Sequence, residues 1–329
     1  MAQIITADDI DFSAYENETD AQQKVKSASL YVQDLIDRIN SPRKTRQHFM
    51  PWGKTHRLIQ FRPGEVTVWG GPSGSGKSLV TGQVSMSLCA QDQKVCIASF
   101  EMKPAKTMGR MGRQWTHFNP DDPLIAGDPA ERREMLDLYA QFRDWTNGRM
   151  WLYDQQGTVH WKQVCAVARY CSKELGITQF VVDNLMKCVA GEDDYNGQKA
   201  FIDELCSIAR DSHMHIHLVH HVKKPNGAGD DHKPSKYDFK GSGAITDQVD
   251  NVIAVWRNKT KERSRQANKA VSDQDPDALL IVDKQRNGEG WEGNIGLWFD
   301  KQSQQYLGGF NAPLMDFFRA PQEEFSEAA

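Results

Sequence analysis

Short runs of β-branched and aromatic residues alternate with longer amphipathic stretches from Glu65 to Pro313. Each run has the length of a buried strand, and each stretch repeats its apolar positions every three or four residues, as helices do. The predicted strands are Glu65 to Trp69, Lys94 to Phe100, Met150 to Tyr153, Gln179 to Asp183, His215 to His220, Asn251 to Trp256, Ala278 to Asp283 and Asn294 to Phe299. The predicted helices are Ser78 to Gln91, Lys106 to His117, Ala130 to Trp145, Val159 to Leu175 and Gln198 to Ser212. This alternation predicts an α/β domain with a mostly parallel central sheet.

The two ends of the chain lack this alternation. Residues 1–20 are polar and acidic, which predicts a flexible arm. A linker at 21–45 follows, with a helix from about Ala21 to Asn40 whose apolar stripe consists of Val25, Ala28, Val32, Leu35 and Ile39. This helix can pack on its own domain or dock on a neighbouring subunit as a clasp. The predicted core domain spans 46–310, and residues 311–329 predict an acidic tail, a candidate for docking a partner protein.

Composition narrows the function further. The 329 residues include 40 basic and 44 acidic side chains, so any contact with nucleic acid must be local rather than due to bulk positive charge. Six scattered cysteines form no CxxC pair, which is typical of reduced core thiols and of a protein without a zinc module. No apolar stretch approaches the ~18 residues that span a bilayer, and the N-terminus resembles no signal peptide. We therefore expect a soluble, cytoplasmic protein without a membrane partner.

A phosphate-binding loop follows the first predicted strand of the core. Its sequence, Gly71-Pro72-Ser73-Gly74-Ser75-Gly76-Lys77-Ser78, has the Gly-x4-Gly-Lys-Ser pattern between a strand and a helix. Glycines let backbone N–H groups and the helix N-terminus surround a phosphate. Lys77 is expected to bridge β- and γ-phosphate oxygens, and Ser78 to hold Mg²⁺. The loop predicts ATP and Mg²⁺ as ligands.

Two carboxylates end strands that should border the same crevice. Asp183 ends an apolar strand and is expected to bind a metal-bound water, an interpretation that depends on the phosphate loop. Glu101 follows the strand after the loop helix, where a carboxylate can orient the attacking water near the γ-phosphate. A Glu on the surface at a strand end is the alternative.

The segment Ser99-Phe100-Glu101-Met102 resembles a motif of the DnaB-like hexameric helicases, a family that includes Twinkle and the helicase half of T-odd phage primase-helicases. The resemblance continues in order through His217 to Pro225, Lys240 to Asp250 and Asp283 to Arg286. It spans roughly Met50 to Gly309. The resemblance implies a RecA-like P-loop core and a homo-hexamer that moves 5′-to-3′ on single-stranded DNA.

The resemblance also implies individual roles. Glu101 is expected to be the catalytic base, and His221 the phosphate sensor, with His220 as the fallback and a mere strand-end His as the alternative. Lys284 and Arg286 match a Lys-x-Arg motif whose Arg reaches the neighbouring subunit's ATP, although a surface ion pair would also explain them. Phe299 lies where phage relatives place a ring against adenine, or else is a core residue.

One departure from the family concerns Asp247, which stands where the family usually has Gln. A Gln occurs one position later, as Gln248. The role of that Gln near the γ-phosphate is therefore left open.

Two basic segments are candidates for contacting DNA, at Val222 to Lys240 and at Arg257 to Lys269. Ordinary solvated charge runs are the alternative for both. The expected DNA contacts are Lys223, Lys224, Lys236, Lys240, Lys259, Lys261 and Arg263. Lysines on phosphates imply binding that is independent of base sequence and sensitive to salt.

These features together predict an ATP-dependent replicative DNA helicase. A RecA/RadA-type recombinase, or a DNA-dependent ATPase without unwinding activity, shares the fold and the phosphate loop. A clamp or loader-like binding module without turnover is a further alternative. A primase fusion is disfavoured because few residues precede the core, so any primase, like any polymerase, should be a separate partner.

Overall fold

The computed structural model describes residues 3–5, 27–40, 48–123, 127–223, 231–241 and 243–318. Its strands are β1 (Gln3–Ile5), β2 (Val66–Gly70), β3 (Val95–Ser99), β4 (Met150–Tyr153), β5 (Gln179–Asp183), β6 (His215–Val219), β7 (Asn251–Arg257), β8 (Ala278–Gln285), β9 (Gly293–Phe299) and β10 (Tyr306–Leu307). Its α-helices are α1 (Ala28–Asn40), α2 (Lys77–Ala90), α3 (Pro104–Thr116), α4 (Pro129–Thr146), α5 (Trp161–Leu175), α6 (Tyr195–Ser212), α7 (Ala244–Gln248) and α8 (Lys259–Gln266). Every strand and helix predicted for the core is present.

The strands form one sheet in the order β1-β4-β3-β5-β6-β2-β7-β8-β9-β10. Pairing is parallel from β1 to β7 and antiparallel from β7 to β10. The predicted α/β fold with a mostly parallel sheet is confirmed.

Helices cover both faces of the parallel strands, which explains why those strands are apolar without alternation. One core lies between the sheet and helices α5 and α6, and it includes Val164, Phe201 and Leu205. The other lies under α2, α3 and α4, and it includes Val84 and Trp115. With both faces covered, the carboxyl ends of β2, β3, β5 and β6 form one exposed edge.

The ends of the chain differ from the predictions in two places. Part of the predicted flexible arm, Gln3–Ile5, is instead a strand that pairs in parallel with β4, whose outer backbone groups offer a template for pairing. Packing also continues past residue 310, since the backbone N–H of Met315 donates to Oε1 of Gln305 over 2.8 Å and Phe317 is buried. Residues 319–329 lie outside the described part of the chain.

Helix α1 exposes the apolar side chains that the sequence places on one face. Val32, Leu35 and Ile39 of the predicted stripe are 43–73% exposed, and two further apolar residues of the helix, Leu30 and Ile36, are 54% and 42% exposed. Residues 6–26, which hold the expected start of this helix and Val25, lie outside the described residues.

Candidate nucleotide-binding site

The phosphate loop connects β2 to α2 at the carboxyl edge of the sheet. Gly74 and Gly76 have φ angles of 74° and 93°, a left-handed conformation that glycine adopts without the steric cost of a Cβ. A Cβ on Gly76 would also overlap the hydroxyl group of Tyr306. The two glycines therefore shape the backbone as a cradle that a side chain would fill, which fits a bound phosphate.

Lys77 lies at the first turn of α2 with its ammonium group inside this cradle. Its Nζ donates hydrogen bonds to the carbonyl oxygens of Gly71 and Pro72, over 2.7 and 2.9 Å. Burial lowers the pKa of Lys77 to about 8, an effect that the negative charges of Asp183 and Glu101 oppose. A desolvated cation held among backbone groups attracts phosphate oxygens strongly.

Ser78 and Asp183 form an oxygen pair beside the loop. The Ser78 hydroxyl donates to Oδ2 of Asp183 over 2.9 Å. Asp183 is buried, and burial raises its pKa while the hydrogen bond from Ser78 opposes the rise. A hydroxyl and a carboxylate at one point are ligands that Mg²⁺ accepts together with substrate phosphates and water, so the pair fits the predicted ion.

Glu101 and His221, which come from different strand ends, are brought together by Asn184. The Asn184 amide donates to Oε1 of Glu101 over 2.6 Å and lies 3.0 Å from Nε2 of His221. Nε2 of His221 is itself 3.8 Å from Oε1 of Glu101. Burial, followed by the charge of Lys77, lowers the pKa of His221, so a neutral ring can accept from the amide. Sequence reasoning missed Asn184, although its place directly after Asp183 at a strand end was a usable signal.

His220 occupies a different environment from its neighbour. It is fully buried, its Nε2 donates to the carbonyl oxygen of Lys240 over 2.7 Å, and burial lowers its pKa to about 4. This ring anchors backbone, whereas His221 lies beside Glu101.

Aromatic residues border the loop on the side of the antiparallel strands. The rings of Phe299 and Tyr306 lie 5.0 Å apart, and Tyr306 contacts Gly76 as described above. Nη1 of Arg257 donates to the carbonyl oxygen of Gly74 over 3.2 Å. Phe299 therefore packs beside Tyr306, which is the ring in contact with the cradle, and its place against adenine stays a prediction. No local pattern in the sequence points to Tyr306, because its position depends on the pairing of a two-residue strand.

Lys284 and Arg286 lie at the opposite end of the sheet. Nζ of Lys284 donates to the carbonyl oxygens of Thr246 and Asp247 over 2.8 and 2.7 Å, at the carboxyl end of α7. Arg286 donates to Asp247 as well and lies 3.3 Å from the carboxylate of Asp250. Burial lowers the pKa of Lys284, and the nearby Arg286 adds to the effect.

Strand register shows how far these cations are from the phosphate loop of the same chain. Arg286 bonds to the backbone of Asp250, which bonds to Val66 at the start of β2, whereas the loop begins after the end of β2. Five residues of strand correspond to about 15 Å. The side chain of Arg286 is held against α7, so it does not reach the phosphate loop of its own chain.

The candidate DNA contacts divide into two groups. Lys223 is exposed, Lys240 pairs with Glu192 over 2.5 Å, and Lys236 lies in a short 3₁₀ helix, Lys236–Asp238. Lys224 lies outside the described residues. Lys259 and Arg263 lie on α8, which follows Arg257 and so starts beside the phosphate loop.

The prediction that Lys261 contacts DNA is wrong. Its side chain is only 3% exposed and pairs with Asp277 over 2.9 Å. Arg265 bonds to the same carboxylate over 2.8 Å. The segment is a helix in which Lys261 and Arg265 are neutralised by Asp277, an acidic residue that lies further along the chain.

Other expectations concern metals, thiols and membranes. All six cysteines are buried free thiols. Within the described ranges, no cluster of three or more His, Cys, Asp or Glu side chains could hold a metal by itself. None of the helices in the described part of the chain is long and apolar enough to cross a bilayer.

A phosphate loop between β2 and α2, with a carboxylate at the end of β5 on the same sheet edge, defines a RecA-like P-loop domain. A family model described as the DnaB-like helicase C terminal domain matches residues 56–307. The chain therefore belongs to the DnaB-like helicase C-terminal domain family, as the sequence motifs predicted.

Known proteins agree with this assignment. The chain is 22% identical over 302 residues to "Replicative DNA helicase DnaC" of Bacillus subtilis (strain 168), a match that covers 89% of this chain and 64% of that protein. The chain thus spans less than two thirds of the curated relative. Its fold is similar to a solved structure described as an ATPase domain, with a TM-score of 0.70 at 15% identity, over 86% of this chain and 99% of that one. It is also similar to a DnaB-like replicative helicase studied for its interactions with primase, with a TM-score of 0.69 at 13% identity, over 86% and 67% of the two chains.

Proposed function

We propose that this protein hydrolyses ATP with Mg²⁺ at the interface between two copies of itself and uses the reaction to move along single-stranded DNA and unwind duplex DNA. The observation that carries the proposal is the separation of two sets of residues. The phosphate loop, Ser78, Asp183 and Glu101 share one edge of the sheet, whereas Arg286 lies about 15 Å away along the strands. A second copy must supply Arg286 if the site is to be complete.

Each residue has a task that its surroundings support. Mg²⁺, when bound, supplies positive charge that offsets charge developing on the phosphate oxygens. Ser78 and Asp183 would hold this ion through their side-chain oxygens. Glu101, oriented by Asn184, accepts a proton from the attacking water. Arg286 of the adjoining copy stabilises charge on the transferred group, which is the usual role of an arginine finger.

The hydrogen bonds at His220 and His221 support a coupling between ATP hydrolysis and the basic segment that would hold DNA. The backbone N–H of Lys240 donates to the carbonyl oxygen of His221 over 3.1 Å, and the ring of His220 donates to the carbonyl oxygen of Lys240. Both ends of the basic segment 222–240 are therefore tied to the strand end that carries His221. A shift of His221 against Glu101 would move Lys223 and Lys240 with it.

A closed ring satisfies the need for shared sites in every copy, and the family to which the chain belongs suggests a hexamer that moves 5′-to-3′. The exposed apolar face of α1 supports the same assembly, because it offers a surface for docking on a neighbour. A separate primase is the partner that we expect, in line with the similar helicase structure that was studied with primase.

Mixing two inactive variants tests the shared site. Lys77→Ala and Arg286→Ala proteins should each lose DNA-stimulated ATP hydrolysis while remaining folded. If Arg286 acts on the neighbouring copy, rings assembled from both variants contain interfaces with Lys77 from one copy and Arg286 from the other. Hydrolysis should then recover in part, as measured by phosphate release.

Two controls define the outcome. Each variant alone, taken through the same mixing procedure, should stay inactive. No recovery in mixed rings that are confirmed to contain both variants would contradict a shared site. Unwinding of a forked duplex distinguishes the helicase from a recombinase or from an ATPase without unwinding activity.

A further inference from the structure

Tyr237 is the most exposed large hydrophobic side chain among the residues that the structure describes, with 87% of its surface in solvent. It lies in the basic segment 222–240, between Lys236 and Asp238. Single exposed apolar residues are common on protein surfaces, so exposure alone indicates nothing. The surroundings of Tyr237 make it unusual.

The turn that carries Tyr237 is anchored on both sides. Asp238 accepts hydrogen bonds from the backbone N–H and the hydroxyl of Ser235, over 2.8 and 3.2 Å. The backbone N–H of Lys236 donates to Asp283 in β8 over 2.7 Å. On the other side, Phe239 is buried and fills the space above Gly70. Tyr237 is therefore presented outward by a fixed backbone, so binding through its ring would cost little conformational entropy.

One cation lies close to the exposed ring, and the backbone of a second lysine is bonded to the same turn. Nζ of Lys236 is 5.6 Å from the ring centroid, and the backbone N–H of exposed Lys223 donates to the carbonyl oxygen of Asp238 over 2.6 Å. Two acidic groups, Asp238 in the turn and Asp283 in β8, accept hydrogen bonds from the backbone of the turn. An aromatic face beside lysines is the combination with which proteins hold single strands without reading sequence.

We propose that Tyr237 is a base-stacking platform, on which one nucleobase of a bound single strand stacks while the flanking phosphates contact Lys223 and Lys236. This inference rests on the proposed function, because it specifies how the segment tied to His220 and His221 holds the strand. Stacking uses a surface that all four bases share, so the grip requires a base but not a particular base.

The test compares two oligonucleotides of equal length, one of deoxythymidine and one of abasic sites. The full-length protein is assembled with a non-hydrolysable ATP analogue, and binding is measured by fluorescence anisotropy. Tyr237→Ala and Tyr237→Leu should weaken binding to the thymidine oligomer about 5- to 100-fold and leave binding to the abasic oligomer unchanged. Tyr237→Phe should bind like the wild-type protein, because the ring and not the hydroxyl group makes the contact.

Leu136→Ala is the matched control, because Leu136 is an exposed apolar residue on α4, which leads to β4 on the far side of the sheet. It should change neither affinity. If Tyr237→Ala bound both oligomers like the wild-type protein, or weakened binding to both equally, the platform would be refuted while DNA binding by the lysines remained. If the wild-type protein bound neither oligomer, the platform and the proposed function would both be refuted.

Discussion

The two basic segments, 222–240 and 257–269, contain five and six basic residues in the sequence and differ in the fold. The first leaves and rejoins the strand end at His221, and it exposes Lys223. The second forms α8, and its cations at Lys261 and Arg265 converge on one carboxylate, that of Asp277. The fold pairs Lys240 of the first segment with Glu192 but leaves Lys223 exposed. A basic run in sequence therefore indicates a nucleic-acid surface only through those cations that the fold leaves exposed.

The second segment has a structural role beside the nucleotide site. Asp277 accepts from Lys261 and Arg265 through one oxygen and from the backbone N–H of Phe299 through the other, over 3.0 Å. Arg257, at the start of the segment, contacts both Gly74 and Glu262. These bonds connect α8 to the phosphate loop and to the aromatic pair of Phe299 and Tyr306.

If the second segment is structural and the first binds DNA, the largest loss of stability is expected for Lys261→Met in the second segment. It leaves the buried carboxylate of Asp277 with only Arg265 as a charged partner, which should lower the free energy of unfolding by about 3 kcal/mol. Urea unfolding measures this change. Lys223→Ala should change the same quantity by less than about 0.5 kcal/mol, because Lys223 is exposed.

A second substitution separates charge from packing. Replacing both partners, as Lys261→Met with Asp277→Asn, removes the uncompensated charge and keeps the acceptor for Phe299. The double variant should regain part of the missing stability. If the double variant were destabilised by the sum of the two single effects, the ion pair would not be the cause.

The expected effect on DNA affinity is intermediate in size. Here a substitution in the first segment should matter more than one in the second, whereas for stability the second segment matters more. Lys223→Ala should weaken binding to single-stranded DNA severalfold and reduce the slope of the binding constant against salt concentration by about one unit, because one phosphate is no longer neutralised. Arg263→Ala on α8 should leave that slope unchanged. Titrations at several salt concentrations decide between the segments, and a larger reduction of slope in Arg263→Ala would reverse the comparison.

A structural feature of this protein could be predicted from the sequence where a local sequence pattern determines it. The core strands and helices, the phosphate loop and the family motifs are local patterns, and the structure contains each of them. Asn184 was missed although it directly follows Asp183 at a strand end, whereas Tyr306 was missed because its role arises from neighbours brought by other strands. Lys261 was misassigned for the same reason, since Asp277, which neutralises it, lies on the approach to β8.

The last prediction concerns His220, which anchors the first segment. Burial lowers the pKa of His220 to about 4 from an ordinary value of 6.5, so the folded protein favours the neutral ring. Its contribution to stability is complete above pH 6.5 and declines as the pH falls toward 4, by about 1 kcal/mol per pH unit.

His220→Gln keeps a donor for the carbonyl oxygen of Lys240 but does not titrate. Unfolding free energies measured from pH 7 to pH 5 should therefore fall less steeply in this variant. His215 and His217 are buried in both proteins, so their contributions to the pH dependence of stability cancel in the comparison. If the unfolding free energy fell equally steeply with pH in both proteins, His220 would not titrate as its burial implies.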